Sequence, residues 1–180
     1  MVDKAMGKKS VEKSGRGKSG REYIGLLLKL GVGVLLVLVV MLNLFTHVFS
    51  VVQYYGSSME PALQDRQILV VRKTHKVEQG DIAAFYYNNK ILVRRIIAGG
   101  GTSVEIEASG AVIVDGMALV EEYVETPALG QCNITFPYTV PYDEFFVMGD
   151  NRTIAMDSRL EEIGTIPRSR MIGKVLFSIG

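Results

Sequence analysis

The chain has 180 residues, 48% of them hydrophobic and 22% charged, with a formal net charge of +1. That hydrophobic content excludes disorder over the whole length, and the lone cysteine, Cys132, excludes a disulfide framework. With one cysteine and two histidines, His47 and His75, far apart in sequence, a zinc site is not expected.

The charge is unevenly placed. Residues 1–22 carry seven basic side chains against three acidic ones, a balance of +4, so the rest of the chain holds −3 of the total of +1. This stretch is rich in Lys, Gly and Ser and reads as a disordered basic tail. Such a tail suits nucleic acid or a membrane face, and the adjoining apolar run decides for the membrane. From Ile24 to Leu42, nineteen residues read IGLLLKLGVGVLLVLVVML, with Lys29 the only charge. As a helix this run rises about 28 Å, close to a hydrocarbon core of roughly 30 Å, and the Lys29 stem can carry its charge to the headgroups. Its apolar residues surround the helix, unlike the one-sided stripe of a core helix. The run exceeds a signal-peptide core, and no Ala-x-Ala-like site succeeds it. Residues 23–45 therefore read as an uncleaved transmembrane anchor. The positive-inside rule places residues 1–22 in the cytoplasm and residues 46–180 outside the cell membrane. The pair Phe45 and Phe49 and the pair Tyr54-Tyr55 suit the membrane–water interface.

Residues 46–180 read as a β-rich domain, long enough to bury a core. Strands are expected at Phe49–Tyr54, Ile68–Arg72, Asp81–Tyr87, Ile91–Ile97, Ser103–Glu107, Ala111–Val114, Glu144–Met148 and Lys174–Ser178. Asn88-Asn89 and Ser109-Gly110 suggest hairpins, and Asp115-Gly116 a third turn.

Four segments carry the chemistry. Gly56-Ser57-Ser58-Met59-Glu60-Pro61 comes directly after the first strand; alone it is a common serine turn before proline. Gly80-Asp81-Ile82 opens a strand ending in Phe85. Val93-Arg94-Arg95-Ile96-Ile97 precedes a glycine run at residues 99–101. Gly149-Asp150-Asn151-Arg152 comes late, with Asp157-Ser158-Arg159 behind it.

In this order, and after a basic tail and an apolar anchor, the segments resemble the type I signal peptidases, membrane-bound serine proteases that cut signal peptides from exported precursors. The interval from Ser58 to Arg94 resembles that of the compact members from Gram-positive bacteria. The resemblance implies a signal-peptidase-type β-barrel or coiled β-sheet on one transmembrane helix, with no metal or cofactor. It implies exported preproteins and membrane lipid as partners, and no nucleic acid. Ser58 would be the nucleophile and its backbone N–H the oxyanion donor; Gly56 offers no side-chain donor. Met59, which would pack near the lipid surface, together with Pro61, Arg95, Gly149, Asp150, Asn151, Asp157, Ser158 and Arg159, would support the site. Cys132 reads as a free, inert loop residue.

Two positions depart from the family pattern. The base is a lysine, and its place is held by Arg94, whose guanidinium is always charged and accepts nothing. The serine that partners that lysine is replaced by Ala155. Three readings are open. One is an enzyme with another base: Lys90 shares the strand face of Arg94 but lies about 13 Å along it, and His75 and Lys73 read as solvated. The second is a peptidase of greatly reduced activity. The third is a silent homologue that holds precursors or assists pilus assembly, with Arg94 binding a peptide carboxylate or carbonyl.

Overall fold

The computed structural model describes residues 20–180. The basic tail expected over residues 1–22 thus lies outside the described residues up to position 19. Helix α1 spans Gly20–Val48, longer at both ends than the expected anchor, so residues 20–22 are helical. Its stretch Tyr23–Val48 has a mean hydropathy of 2.7 and is exposed, the one helix among the described residues long and apolar enough to cross a membrane. The chain divides into two compact units, 1–43 and 44–180.

The second unit is built of strands: β1 (Phe49–Gln53), β2 (Ile68–Lys73), β3 (Ile82–Tyr87), β4 (Lys90–Gly99), β5 (Ser103–Ile106), β6 (Val112–Val114), β7 (Met117–Ala118), β8 (Tyr138–Thr139), β9 (Glu144–Met148), β10 (Ile166–Pro167) and β11 (Met171–Ile179). Seven form an antiparallel sheet in the order β1-β2-β11-β3-β4-β9-β10, and four a smaller one in the order β7-β6-β5-β8. All eight expected strands are present with small shifts at their ends. The three that the residue pattern does not announce, β7, β8 and β10, have two residues each.

The turn residues explain the hairpins. Asn88 (φ 43°) and Asn89 (φ 59°) join β3 to β4, and Asp115 (φ 49°) and Gly116 (φ 79°) join β6 to β7. Two consecutive left-handed residues match the strands' twist, and Asn, Asp and Gly adopt that conformation at least cost. Alternation then orients the sheet. On β2, Leu69 and Val71 are fully buried while Ile68 faces solvent; on β1, Val52 is buried between exposed Val51 and Gln53. Val52 pairs with Leu69. The same core includes Tyr54, Met59, Leu63, Ala84 and Val93, so the turn after β1 is packed against the middle of the sheet.

Tyr54 and Met59 correct the sequence reading. Their expected places are the membrane interface and the lipid surface, yet they are only 4% and 0% exposed. A phenol or thioether in that turn points inward because the turn folds back over the sheet. Tyr55, at 68% exposed, keeps the surface position.

Candidate active site

The chain leaves β1, turns at Gly56 with φ +103°, and presents Ser58 half-buried at the start of a tight turn. Gly56 N–H donates to Asp65 Oδ1 at 2.7 Å, and Leu63 N–H to the Met59 carbonyl at 2.9 Å. Pro61 succeeds Glu60 on the exposed side of the turn. The Ser58 carbonyl accepts the N–H of Asn151 at 3.1 Å, which ties the turn to the loop after β9. Gly149 makes that approach possible: a Cβ there would lie 2.5 Å from the Ser58 carbonyl oxygen and 2.3 Å from the Ala155 Cβ.

Ser58 Oγ lies 3.2 Å from the hydroxyl of Tyr54, which also accepts the N–H of Met59 at 3.0 Å. Tyr54 is fixed at its backbone as well, donating to the Gln67 carbonyl at 2.8 Å and accepting from Arg66 N–H at 2.9 Å.

Arg94 pairs across the sheet with Ala83 and is 5% exposed. Its guanidinium donates from Nε (2.9 Å) and Nη2 (2.7 Å) to the Met156 carbonyl, and from Nη1 to the Val93 carbonyl at 2.7 Å. Burial pulls it below its ordinary value; Asp157 and Tyr54 act against that, and Arg159 acts with it. It stays a cation. The carbonyl that a bound peptide would offer Arg94 is already supplied by the chain itself. Ala155 is buried, so no side-chain hydroxyl stands at that position.

Three further arginines fasten the loop after β9. Arg95 Nε donates to Asp150 Oδ1 at 2.8 Å, and its Cζ stacks 3.8 Å from the centre of the Tyr123 ring. Burial lowers Arg95, but the Asp150 bond and charge outweigh it and hold the guanidinium charged. Burial also raises the Asp150 carboxyl against the pull of Arg95; the two-pronged contact favours the ionised pair. Arg152 pairs with Glu121 and donates to the Gly149 carbonyl at 3.1 Å. Arg159 grips Asp157 through Nε and Nη2, both at 2.8 Å, and Asp157 Oδ2 accepts Gly149 N–H at 2.9 Å. Ser158 Oγ accepts the N–H of Val147 at 3.0 Å, so it braces β9.

The other candidate bases lie elsewhere. Lys90 is exposed at the β3–β4 turn, Lys73 Nζ donates to the Thr46 carbonyl at 2.8 Å, and His75 Nδ1 is 3.2 Å from the Arg168 carbonyl. Cys132 is a free, partly buried thiol whose Sγ is 3.8 Å from the Ile134 carbonyl. Sequence reasoning missed three contributors: Tyr54 as the neighbour of Ser58, and Glu121 and Tyr123 from an irregular stretch. Only the spacing of Tyr54, four residues before Ser58 on a strand end, offered any signal.

A family model described as signal peptidase, peptidase S26, matches residues 27–179. A signal peptidase I of Bacillus amyloliquefaciens is 35% identical over 136 residues, covering 68% of this chain and 69% of that protein. Signal peptidase I T of Bacillus subtilis strain 168 is 32% identical over 161 residues, 81% of this chain and 82% of that one. The crystal structure of a signal peptidase I from Enterococcus faecalis V583 matches at 28% identity with a TM-score of 0.48, covering 57% of this chain and 97% of that one. The chain belongs to the signal peptidase family, peptidase S26.

Proposed function

We propose that this chain is a membrane-anchored serine endopeptidase that removes signal peptides from exported precursors, with Ser58 as its nucleophile. Family membership and the exposed apolar helix support the reaction class and the anchor. The observation that carries the site is the setting of Ser58: a half-buried hydroxyl whose backbone is clamped to the loop after β9 at Asn151 and Gly149. A clamped nucleophile meets a carbonyl at a fixed angle, which is the entropic part of catalysis.

In this reading Ser58 Oγ attacks the scissile carbonyl and the Ser58 N–H receives the developing oxyanion. Met59, Pro61, Arg95, Gly149, Asp150, Asn151, Asp157, Ser158 and Arg159 hold the two loops in register. The precursor adds as an extended strand; among the described residues β1 is an edge strand of the larger sheet, paired with β2. The basic tail lies in the cytoplasm and residues 46–180 outside, as the +4 balance of residues 1–22 favours. Exposed Val51, Ile68, Phe177 and Ile179 give the domain an apolar surface suited to lipid.

The test is cleavage of a signal-bearing precursor by the full chain in phospholipid vesicles, from neutral to strongly alkaline pH. Cutting that Ser58→Ala abolishes is the expected result. Precursor binding without cutting at any pH would overturn the enzymatic reading in favour of a precursor-holding or assembly factor.

A further inference from the structure

We propose that the Tyr54 phenol oxygen is the proton acceptor for Ser58. This role for Tyr54 rests on Ser58 being the nucleophile. Among the described residues, Tyr54 is the titratable group whose side chain lies within hydrogen-bond distance of Ser58 Oγ, at 3.2 Å. The carboxylates nearby are taken, Asp150 by Arg95 and Asp157 by Arg159 and Gly149 N–H.

The geometry suits an anion at that oxygen. A phenolate there accepts from the Met59 N–H at 3.0 Å and from the Ser58 hydroxyl at once. The buried charged groups of this region have partners of their own: Arg94 holds the Met156 and Val93 carbonyls, and Asp157 and Arg159 are bound to each other. Tyr54 shares one buried core with Met59, Leu63, Leu69, Val71 and Val93.

The steps balance. Tyr54 phenolate takes the Ser58 hydroxyl proton while Oγ bonds to the scissile carbonyl carbon and the C=O pair moves onto oxygen. The tetrahedral species collapses, the C–N bond breaks, and the Tyr54 phenol gives its proton to the leaving amine. Water then adds to the acyl carbon and gives a proton to the phenolate, and that proton returns to Ser58 as it leaves. One water is consumed per peptide bond cut.

The experiment uses the full chain in vesicles with a signal-bearing precursor, comparing kcat and KM across pH. Tyr54→Phe, which keeps the ring, should lower kcat about 100-fold or more with little change in KM. The unaltered protein should show a rise in kcat toward alkaline pH. Fluorotyrosine at position 54, with a more acidic phenol and an intact hydroxyl, should move that rise to lower pH, an outcome a structural role would not give. It also serves if Tyr54→Phe does not fold. If Ser58→Ala is inactive while Tyr54→Phe keeps kcat and pH profile, or fluorotyrosine leaves the profile in place, the Tyr54 proposal is overturned and the Ser58 reading stands. If Ser58→Ala cuts as well as the unaltered chain, both fall.

Discussion

Arg94 grips the Met156 carbonyl with two of its nitrogens, at 2.9 and 2.7 Å, and Met156 is the residue directly after Ala155. The arginine and the alanine are therefore coupled: a side chain that reaches the Met156 carbonyl needs no hydroxyl at 155 to steady it. Arg94→Lys breaks that grip and places a titratable amine in a buried setting that disfavours its ammonium form. Arg94→Lys with Ala155→Ser should raise Ser58-dependent cutting at neutral pH about tenfold or more over the unaltered protein. Rates no higher at neutral pH in either variant would show that position 94 is not where a base can act.

Gly149 allows the loop after β9 to touch the Ser58 turn. Gly149→Ala drives a methyl against the Ser58 carbonyl oxygen and the Ala155 Cβ, at 2.5 and 2.3 Å. Overpacking of this kind costs about 1–3 kcal/mol. The denaturant midpoint should fall, and cleavage should fall further than stability alone accounts for, because the clamp on Ser58 shifts.

The two ends of the ion-pair range make a second contrast. The Asp157 and Arg159 side chains are both 0% exposed, whereas those of Asp65 and Arg66 are 50% and 80% exposed. Arg159→Ala leaves Asp157 buried without its cation and should destabilise by about 3–5 kcal/mol. Arg66→Ala should change stability by under about 1 kcal/mol. Equal losses in chemical denaturation would refute the burial argument.

Tyr123 gives a pH dependence with a definite sign. Burial, then its hydrogen bond to Glu121, raises its phenol above the ordinary value of 10.0. Above about pH 10 the unfolded chain releases this proton while the folded chain keeps it, so stability falls as pH rises further; below about pH 10 the contribution is complete. Thermal melts of Tyr123→Phe should show a shallower alkaline decline than those of the unaltered protein. Parallel slopes would mean that other groups govern it.

The range of each interaction determines what the residue pattern made legible. Asn88-Asn89 and Asp115-Gly116 announce their hairpins because left-handed backbone selects those residues locally. The chemistry-bearing order Ser58, Arg94, Asp150, Arg159 is also readable, since each sits in a short motif. Arg95 with Tyr123, and Arg152 with Glu121, are not readable; each pairing depends on a loop without periodicity reaching back to the site. Tyr54 misled for a related reason. Beside exposed Tyr55 it looks like half of a surface pair, and only the fold-back of the turn shows that it lies under Ser58.

The placement of β11 carries a consequence for timing. It lies between β2, next to the strand that leads to Ser58, and β3, whose partner β4 bears Arg94. Roughly a hundred residues separate β2 from β11 in the chain, and pairings that distant form late. Among the described residues, β11 is the strand that joins the half with Ser58 to the half with Arg94 within the sheet, while the Asn151 N–H on the Ser58 carbonyl joins them through the loop after β9. The sheet is thus closed at its centre and not at an edge, and its two halves meet by direct strand pairing only once β11 is available.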